Sequence, residues 1–212
     1  EEKLTQHNPI DRLAPLADGR LQCDVCRRDA VRKKDQVRFL TQRVVDILAA
    51  NGIVLKTPAK RIKIKLVDRN RLRKLAPESP DLEGLYRVET ETWSYGRSDP
   101  FTVDWQTIFV LSDLPADFFQ GVAAHEIFHL WQHEHHANHG PPRWAEGSAQ
   151  VATDLVYQRL GTDLAKHYQH NMLKADDAIY GPGYREAKAY FEKQGIGPFL
   201  DEVVRTGSKP AR

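Results

Sequence analysis

The chain has 212 residues, enough for one folded domain with a sizeable core, or one domain with a small appendage. Hydrophobic residues make up 41% and charged residues 28%, an ordinary balance for a globular protein in water, and 31 basic against 29 acidic residues leave a net charge of +2. This near-balance excludes a general polyanion binder, no apolar run approaches the roughly 20 residues that span a bilayer, and no secretory signal opens the chain, so neither nucleic acid nor a membrane is an expected partner. A start at Glu1 rather than Met leads us to expect further sequence upstream.

Residues 1–35 are polar, carry Pro9, Pro15 and Gly19, and read as loop with a turn at Asp18-Gly19. Cys23 and Cys26 follow that turn, and Arg27–Lys33 can open a helix. Two cysteines at this spacing point to metal binding or redox chemistry in a reducing compartment rather than to a secreted disulfide framework. One reading is half of a structural zinc module, with His7 as a third ligand or the rest upstream. The other is a pair of free thiols on a turn. A structural zinc takes four ligands, and only two cysteines are present.

From Gln36 to Ala50 the apolar residues Val37, Leu40, Val44, Ile47 and Leu48 recur at helical spacing, and Asn51-Gly52 supplies the stop. Arg61–Val67 alternates strictly and reads as a half-buried strand with a basic outer face. Asp68 is placed to cap a short helix, Arg69–Leu75. The basic run from Lys56 to Lys74 is a solvated face rather than a nucleic-acid patch, because no stacking aromatics interleave with it. Residues 77–84 are a loop. Leu85–Trp93 and Thr102–Leu111 are strands of an antiparallel pair, turned at Gly96, Asp99 and Pro100. Helices are expected from about Pro115 to His136, from Arg143 to Leu160 with Gly161 as the stop, and over Asp163–Lys174. Asp176–Tyr184 reads as a loop before two last helices, Arg185–Lys193 and Pro198–Arg205. The order helix, strands, helices gives an α+β domain over residues 36–212.

The chemistry concentrates on the long apolar helix. His125-Glu126-Ile127-Phe128-His129 is an H-E-x-x-H sequence. Residues four apart share a helix face, so both imidazoles can meet one ion, with Glu126 beside it. This is the pattern of two zinc ligands and a general base. A catalytic zinc takes three protein ligands and leaves a position for water. Glu146, 17 residues after His129 at the start of the next helix, is the preferred third ligand. Gln150, one turn on, is placed to hydrogen-bond a ligand histidine. His135 is the rival, at the position of the third histidine in H-E-x-x-H-x-x-G-x-x-H, but Gln132 stands where that pattern needs its helix-breaking Gly. Zinc lowers the pKa of its bound water to about 7, Glu126 takes that proton, and His170, Tyr180 and Tyr184 are candidate oxyanion donors. Thr107–Leu111, directly before the helix, can pair with an extended substrate if it is an edge strand. The bland alternative is a structural metal site, or none.

Ile108–Gln132, Trp144–Thr153 (WAEGSAQVAT) and Ile179–Ala187 (IYGPGYREA) together resemble the C-terminal domain of the plant growth-restricting, ubiquitin-activated metallopeptidases that carry LIM domains. Asp18–Cys26 is similar to the end of their LIM-like zinc module, and Ile62–Asp68 to the strand after it. The resemblance implies a zincin-like fold behind a truncated LIM-like zinc-knuckle segment at 1–35. It implies a gluzincin peptidase (a hydrolase) with ligands His125, His129 and Glu146, base Glu126, and a site role for His170. It also implies a cytoplasmic protease of selected proteins linked to ubiquitin. The chain departs from the family in lacking a ubiquitin-interacting helix and in its histidine-rich stretch His133–His139. The expected cofactor is one catalytic Zn2+, with a second, structural Zn2+ at Cys23 and Cys26 if the knuckle is complete. The contrasting expectation is a ubiquitin- or peptide-binding module whose zinc is structural.

Overall fold

The computed structural model describes residues 13–94, 101–137, 140–175 and 180–208. His7, His139 and the turn at Gly96–Pro100 lie outside them. Among the described residues the fold is α+β, with two small sheets and eight α-helices. No helix among them is long and apolar enough to cross a membrane.

The first segment is more ordered than its composition suggests. β1 (Leu13–Pro15) and β2 (Leu21–Cys23) form an antiparallel hairpin, and α1 (Asp24–Arg28) follows directly. The helix expected over Arg27–Lys33 therefore begins earlier and contains Cys26. The Cys23 sulfur caps it, accepting from the Cys26 N–H at 3.4 Å. The hairpin is fastened to the rest of the chain. The Asp18 carboxylate accepts from the Arg69 N–H at 2.8 Å, Arg20 donates to the Ser112 carbonyl at 2.9 Å, and Gln22 donates to the Asp113 carbonyl at 2.6 Å.

α2 (Lys34–Ala50) buries Val37, Leu40, Val44, Ile47 and Leu48, the stripe that the periodicity marks. A 3-10 turn (Ala59–Arg61) leads to β3 (Ile64–Val67), and α3 (Arg69–Leu75) starts at Asp68, whose carboxylate accepts from the Arg71 N–H at 2.7 Å. β4 (Gly84–Trp93) is antiparallel to β5 (Phe101–Leu111), while β3 is parallel to it, in the order β3-β5-β4. This corrects one expectation. Thr107–Leu111 is the central strand, with β3 on one side and β4 on the other, so it cannot take up a substrate strand. Its unbroken apolar run fits that position, since Ile108, Val110 and Leu111 are all buried.

α4 (Ala116–Glu134) follows β5 and is apolar nearly all round, with Phe119, Ala123, Ala124, Ile127, Phe128 and Trp131 buried. Such a helix is held on several sides: by the sheet, by α2, and by α5 (Pro142–Leu160), which ends at Gly161 in the left-handed region with φ 64°. α6 (Asp163–Lys174) starts at Thr162, whose hydroxyl accepts from the Ala165 N–H. α7 (Tyr180–Gln194) and α8 (Ile196–Gly207) complete the fold. The loop expected over Asp176–Tyr184 is corrected from Tyr180 onward, because Tyr180-Gly-Pro-Gly-Tyr is the first turn of α7. Its glycines serve packing: a Cβ on Gly183 would stand 2.3 Å from the Arg143 carbonyl oxygen, and one on Gly147 would stand 2.2 Å from that of Gly183. α5 and α7 thus approach at backbone distance.

A buried polar group holds the three helices together. Asp154 on α5 is 4% exposed and accepts from Gln158 at 2.8 Å, from Gln169 of α6 at 2.6 Å and from Lys188 of α7 at 2.7 Å. Removing one partner of such a pair strands the other charge, at a cost of about 3 kcal/mol or more. Asp154→Ala is therefore expected to lower the thermal midpoint by about 6–12 °C. A calorimetric scan showing no shift would contradict this role for the cluster.

Candidate metal centre

His125 and His129 lie one turn apart on α4, and Glu146 is the fifth residue of α5. The helix crossing brings the three together. His125 Nε2 is 3.0 Å from Glu146 Oε2, His129 Nε2 is 3.4 Å from the same oxygen, and the two Nε2 atoms are 3.1 Å apart. Zinc bonds of about 2.0–2.1 Å in a tetrahedron put ligand atoms about 3.3–3.4 Å apart. The triangle therefore matches one face of a tetrahedral site, and its three residues line a cavity. Two nitrogens and a carboxylate oxygen suit zinc and its first-row neighbours better than calcium or magnesium, which favour all-oxygen shells. Among the described residues this is the one group of three or more His, Cys, Asp or Glu side chains that can share an ion.

The tautomer of His129 follows from its neighbour. The amide nitrogen of Gln132 donates to the Ala145 carbonyl and to Ser148 Oγ, each at 3.1 Å, so its oxygen must face His129. His129 Nδ1 donates to that oxygen at 2.8 Å, which leaves the Nε2 lone pair for an ion. Gln132, 2% exposed, thus replaces Gln150 as the partner of a ligand histidine. Gln150 lines the cleft.

Glu126 stands beside the triangle, 6% exposed, under β4. Burial pushes its carboxyl above the usual range, while the charges of His125 and His129 and a hydrogen bond from the Tyr86 N–H pull it back only in part. A Cβ on Gly84 would stand 2.5 Å from Glu126 Oε1. Only glycine fits there without displacing the carboxylate. Leu111 N–H donates to the Glu83 carbonyl at 2.8 Å, so Glu83 pairs with β5. Antiparallel alternation then turns the main-chain groups of Gly84 and Tyr86 outward. One of them, the Tyr86 N–H, reaches Glu126. The Gly84 groups and the Tyr86 carbonyl stay on the outer edge, bordering a cavity of about 970 Å³ that contains His125, His129, Glu126 and Glu146.

The other sequence candidates divide. Tyr180 lines the cavity, its ring centroid 6.2 Å from that of His125. Tyr184 lies in the core at 1% exposure, its hydroxyl receiving Lys188 at 3.2 Å. His170 is exposed and does not line the cavity. α6 presents Tyr168, Asn171 and Met172 there, at spacings of three and four, and His170 falls off that face. His135 stacks on Trp131 at 4.2 Å, and its Nδ1 bonds the Trp131 carbonyl at 2.8 Å, turned back on its own helix. His133 faces Asp104 at 3.6 Å. Cys23 and Cys26 are free thiols that no third ligating side chain joins among the described residues. Burial pushes the Cys26 thiol up to about 11, and the Cys26 N–H lowers that of Cys23.

Sequence reasoning missed Gly84, Tyr86 and Gln132. Gln132 was within reach, since it lies three residues past His129 on the same face. Nothing local marks Gly84 and Tyr86, whose roles depend on which strand is the outer one. No family model matches this chain, and no curated protein or solved structure matches it either.

A proton on His129 Nε2 competes with an ion for that position, and Glu146 Oε2 stands 3.4 Å from it. Burial disfavours the charged ring of His129, but the hydrogen bond and charge of Glu146 outweigh it and raise its pKa to about 9. A metal must displace that proton. Below about pH 9 the apparent metal affinity therefore falls about tenfold per pH unit, and about one proton is released per ion bound at pH 7–8. Titration calorimetry in buffers of different ionisation heat measures this directly. Release of no proton would contradict the arrangement.

Proposed function

We propose that the chain is a zinc-dependent endopeptidase of the gluzincin type, built on a zincin-like domain, that hydrolyses peptide bonds in protein substrates. The observation that carries the reading is the triangle of His125, His129 and Glu146 donor atoms, open to a cleft, with the buried carboxylate of Glu126 alongside. A purely structural site has no use for a buried base or for a cavity of this size beside it. The likeness of three separate sequence stretches to the LIM-carrying peptidases points the same way. A link to ubiquitin, a LIM-like knuckle with its own zinc and a place in the cytoplasm rest on that likeness alone.

A zinc ion held by the three side chains would polarise the scissile carbonyl and acidify a water. The residues of the chain account for the rest. The outer edge of β4 at Gly84 and Tyr86 offers main-chain groups to an extended peptide, which would add as a further strand. Glu126 accepts the proton of the attacking water and returns it to the leaving amine. Burial raises its pKa, which makes it a stronger base toward the attacking water than an exposed carboxylate. Tyr180 lines the same space from α7 and would donate to the oxyanion.

Glu126→Gln removes the base and keeps the ligands. It is expected to retain zinc and fold while losing about 10²–10⁴ of the rate on a protein substrate such as casein. Cleavage at the wild-type rate would contradict the mechanism. A loaded wild-type protein that cleaves nothing, and that unfolds on chelation, would favour a binding module with structural zinc.

A further inference from the structure

The cleft opens on one face of α4, between two flanks. Val122 and Glu126 face β4, where a Cβ on Gly84 would stand 2.7 Å from Val122 and 2.5 Å from Glu126. Gly121 and His125, each about 100° round the helix from these, face α5. The Gly121 carbonyl accepts from Thr153 at 3.2 Å, and His125 meets Glu146 at 3.0 Å. β4 and α5 therefore flank the cleft, with the metal-binding face of α4 between them.

An extended peptide on the outer edge of β4 has a second main-chain edge. Successive residues of a strand turn their N–H and C=O groups alternately to the two sides, so every other residue would aim its pair away from β4 and toward α5. Gln150 stands on that side. It follows Glu146 by one turn on the same face of α5, which sets the two side chains about 5–6 Å apart, and it lines the cavity. It is half-buried, and its amide neither donates to nor accepts from any group among the described residues. Nor is it one of the buried polar groups that lack a partner, so the amide is open to the cleft rather than sealed in the core. The other amides lining the cleft are engaged: Gln132 with His129, Ala145 and Ser148, and Asn171 with His167 at 3.1 Å. A glutamine amide carries a donor and an acceptor side by side, the same complement that one strand residue shows along one edge.

Building on the peptidase reading, we propose that Gln150 is a substrate-binding residue whose amide grips the main chain of the peptide next to the scissile bond, on the edge turned away from β4. The peptide is then held from both sides, as the middle strand of a sheet is. The grip reads main-chain form rather than side-chain identity. It selects an extended segment and rejects proline, which has no N–H to offer, at the gripped position. Each neutral hydrogen bond of this kind corresponds to about three- to tenfold in affinity.

The test uses the zinc-loaded protein and two probes. Acetohydroxamate needs only the ion; a tripeptide hydroxamate, made also with an N-methyl group at each amide in turn, needs the cleft as well. Dissociation constants are read by calorimetry for wild type and Gln150→Ala. Acetohydroxamate is expected to bind both proteins equally, because the metal ligands are untouched. The tripeptide hydroxamate is expected to bind wild type more tightly than acetohydroxamate does, and to lose at least about three- to tenfold in Gln150→Ala. One N-methyl position costs wild type about three- to tenfold and costs Gln150→Ala almost nothing, whereas a position paired with β4 costs both proteins alike. The same N-methyl penalties in the two proteins at every position, or a Gln150→Ala protein that keeps full affinity for the tripeptide, would overturn the proposal. Acetohydroxamate that binds neither protein would instead overturn the zinc centre, and with it the peptidase reading on which the grip rests.

Discussion

The centre depends on a single side-chain amide that spans two helices. Gln132 receives the Nδ1 proton of His129 on one side and donates to Ala145 and Ser148 on the other. α4 supplies two donor atoms and α5 the third, so their relative placement decides whether an ion can bind at all. Fixing that placement with a buried, fully paired amide serves geometry and electronics together. It sets the ring orientation and the tautomer, and it locks the turn that carries Glu146. The surrounding fold reinforces the crossing. α4 is gripped by the sheet, by α2 and by α5, while Asp154 ties α5 to α6 and α7, which wall the cleft.

A second constraint acts on Glu126. A carboxylate at this depth is unfavourable unless charges or hydrogen bonds answer it. Here two imidazoles and one main-chain N–H answer it in part, leaving its proton affinity raised. The strand above must come close enough to offer that N–H, and Gly84 is the residue that permits it. The same short stretch of β4 therefore positions the Glu126 carboxylate and presents the outer edge of the sheet. Position 84 joins a local steric requirement to the chemistry of the cleft.

Much of this was legible in the sequence. The helical stripe of α2, the Asp68 cap, the stop at Gly161 and the extent of α6 follow from local rules of periodicity and capping. The spacing of His125 and His129 placed two imidazoles on one face, and the position of Glu146 early in the next helix made it available as a third donor. What was not legible depends on non-local pairing. Alternation marks a strand but says nothing of its neighbours, so the edge position that substrate pairing at Thr107–Leu111 would need does not follow from the sequence; the apolar run on both faces is the sign of a central strand. Tyr180–Tyr184 reads as loop in the sequence because glycine and proline usually break structure. Here the proline sits in a first helical turn, where it is tolerated, and the glycines let two helices touch. His170 shows the limit of a resemblance. It sits next to Asn171, which lines the cleft, but on the wrong face of α6.

The central claim is that His125, His129 and Glu146 together hold one zinc ion. The most direct measurement is metal content per chain by elemental mass spectrometry after purification and dialysis, for wild type, Glu146→Ala and His135→Ala. The account predicts one zinc bound at the centre in wild type, retained in His135→Ala and lost or strongly reduced in Glu146→Ala. A centre that keeps its zinc without Glu146 and loses it without His135 would contradict the account.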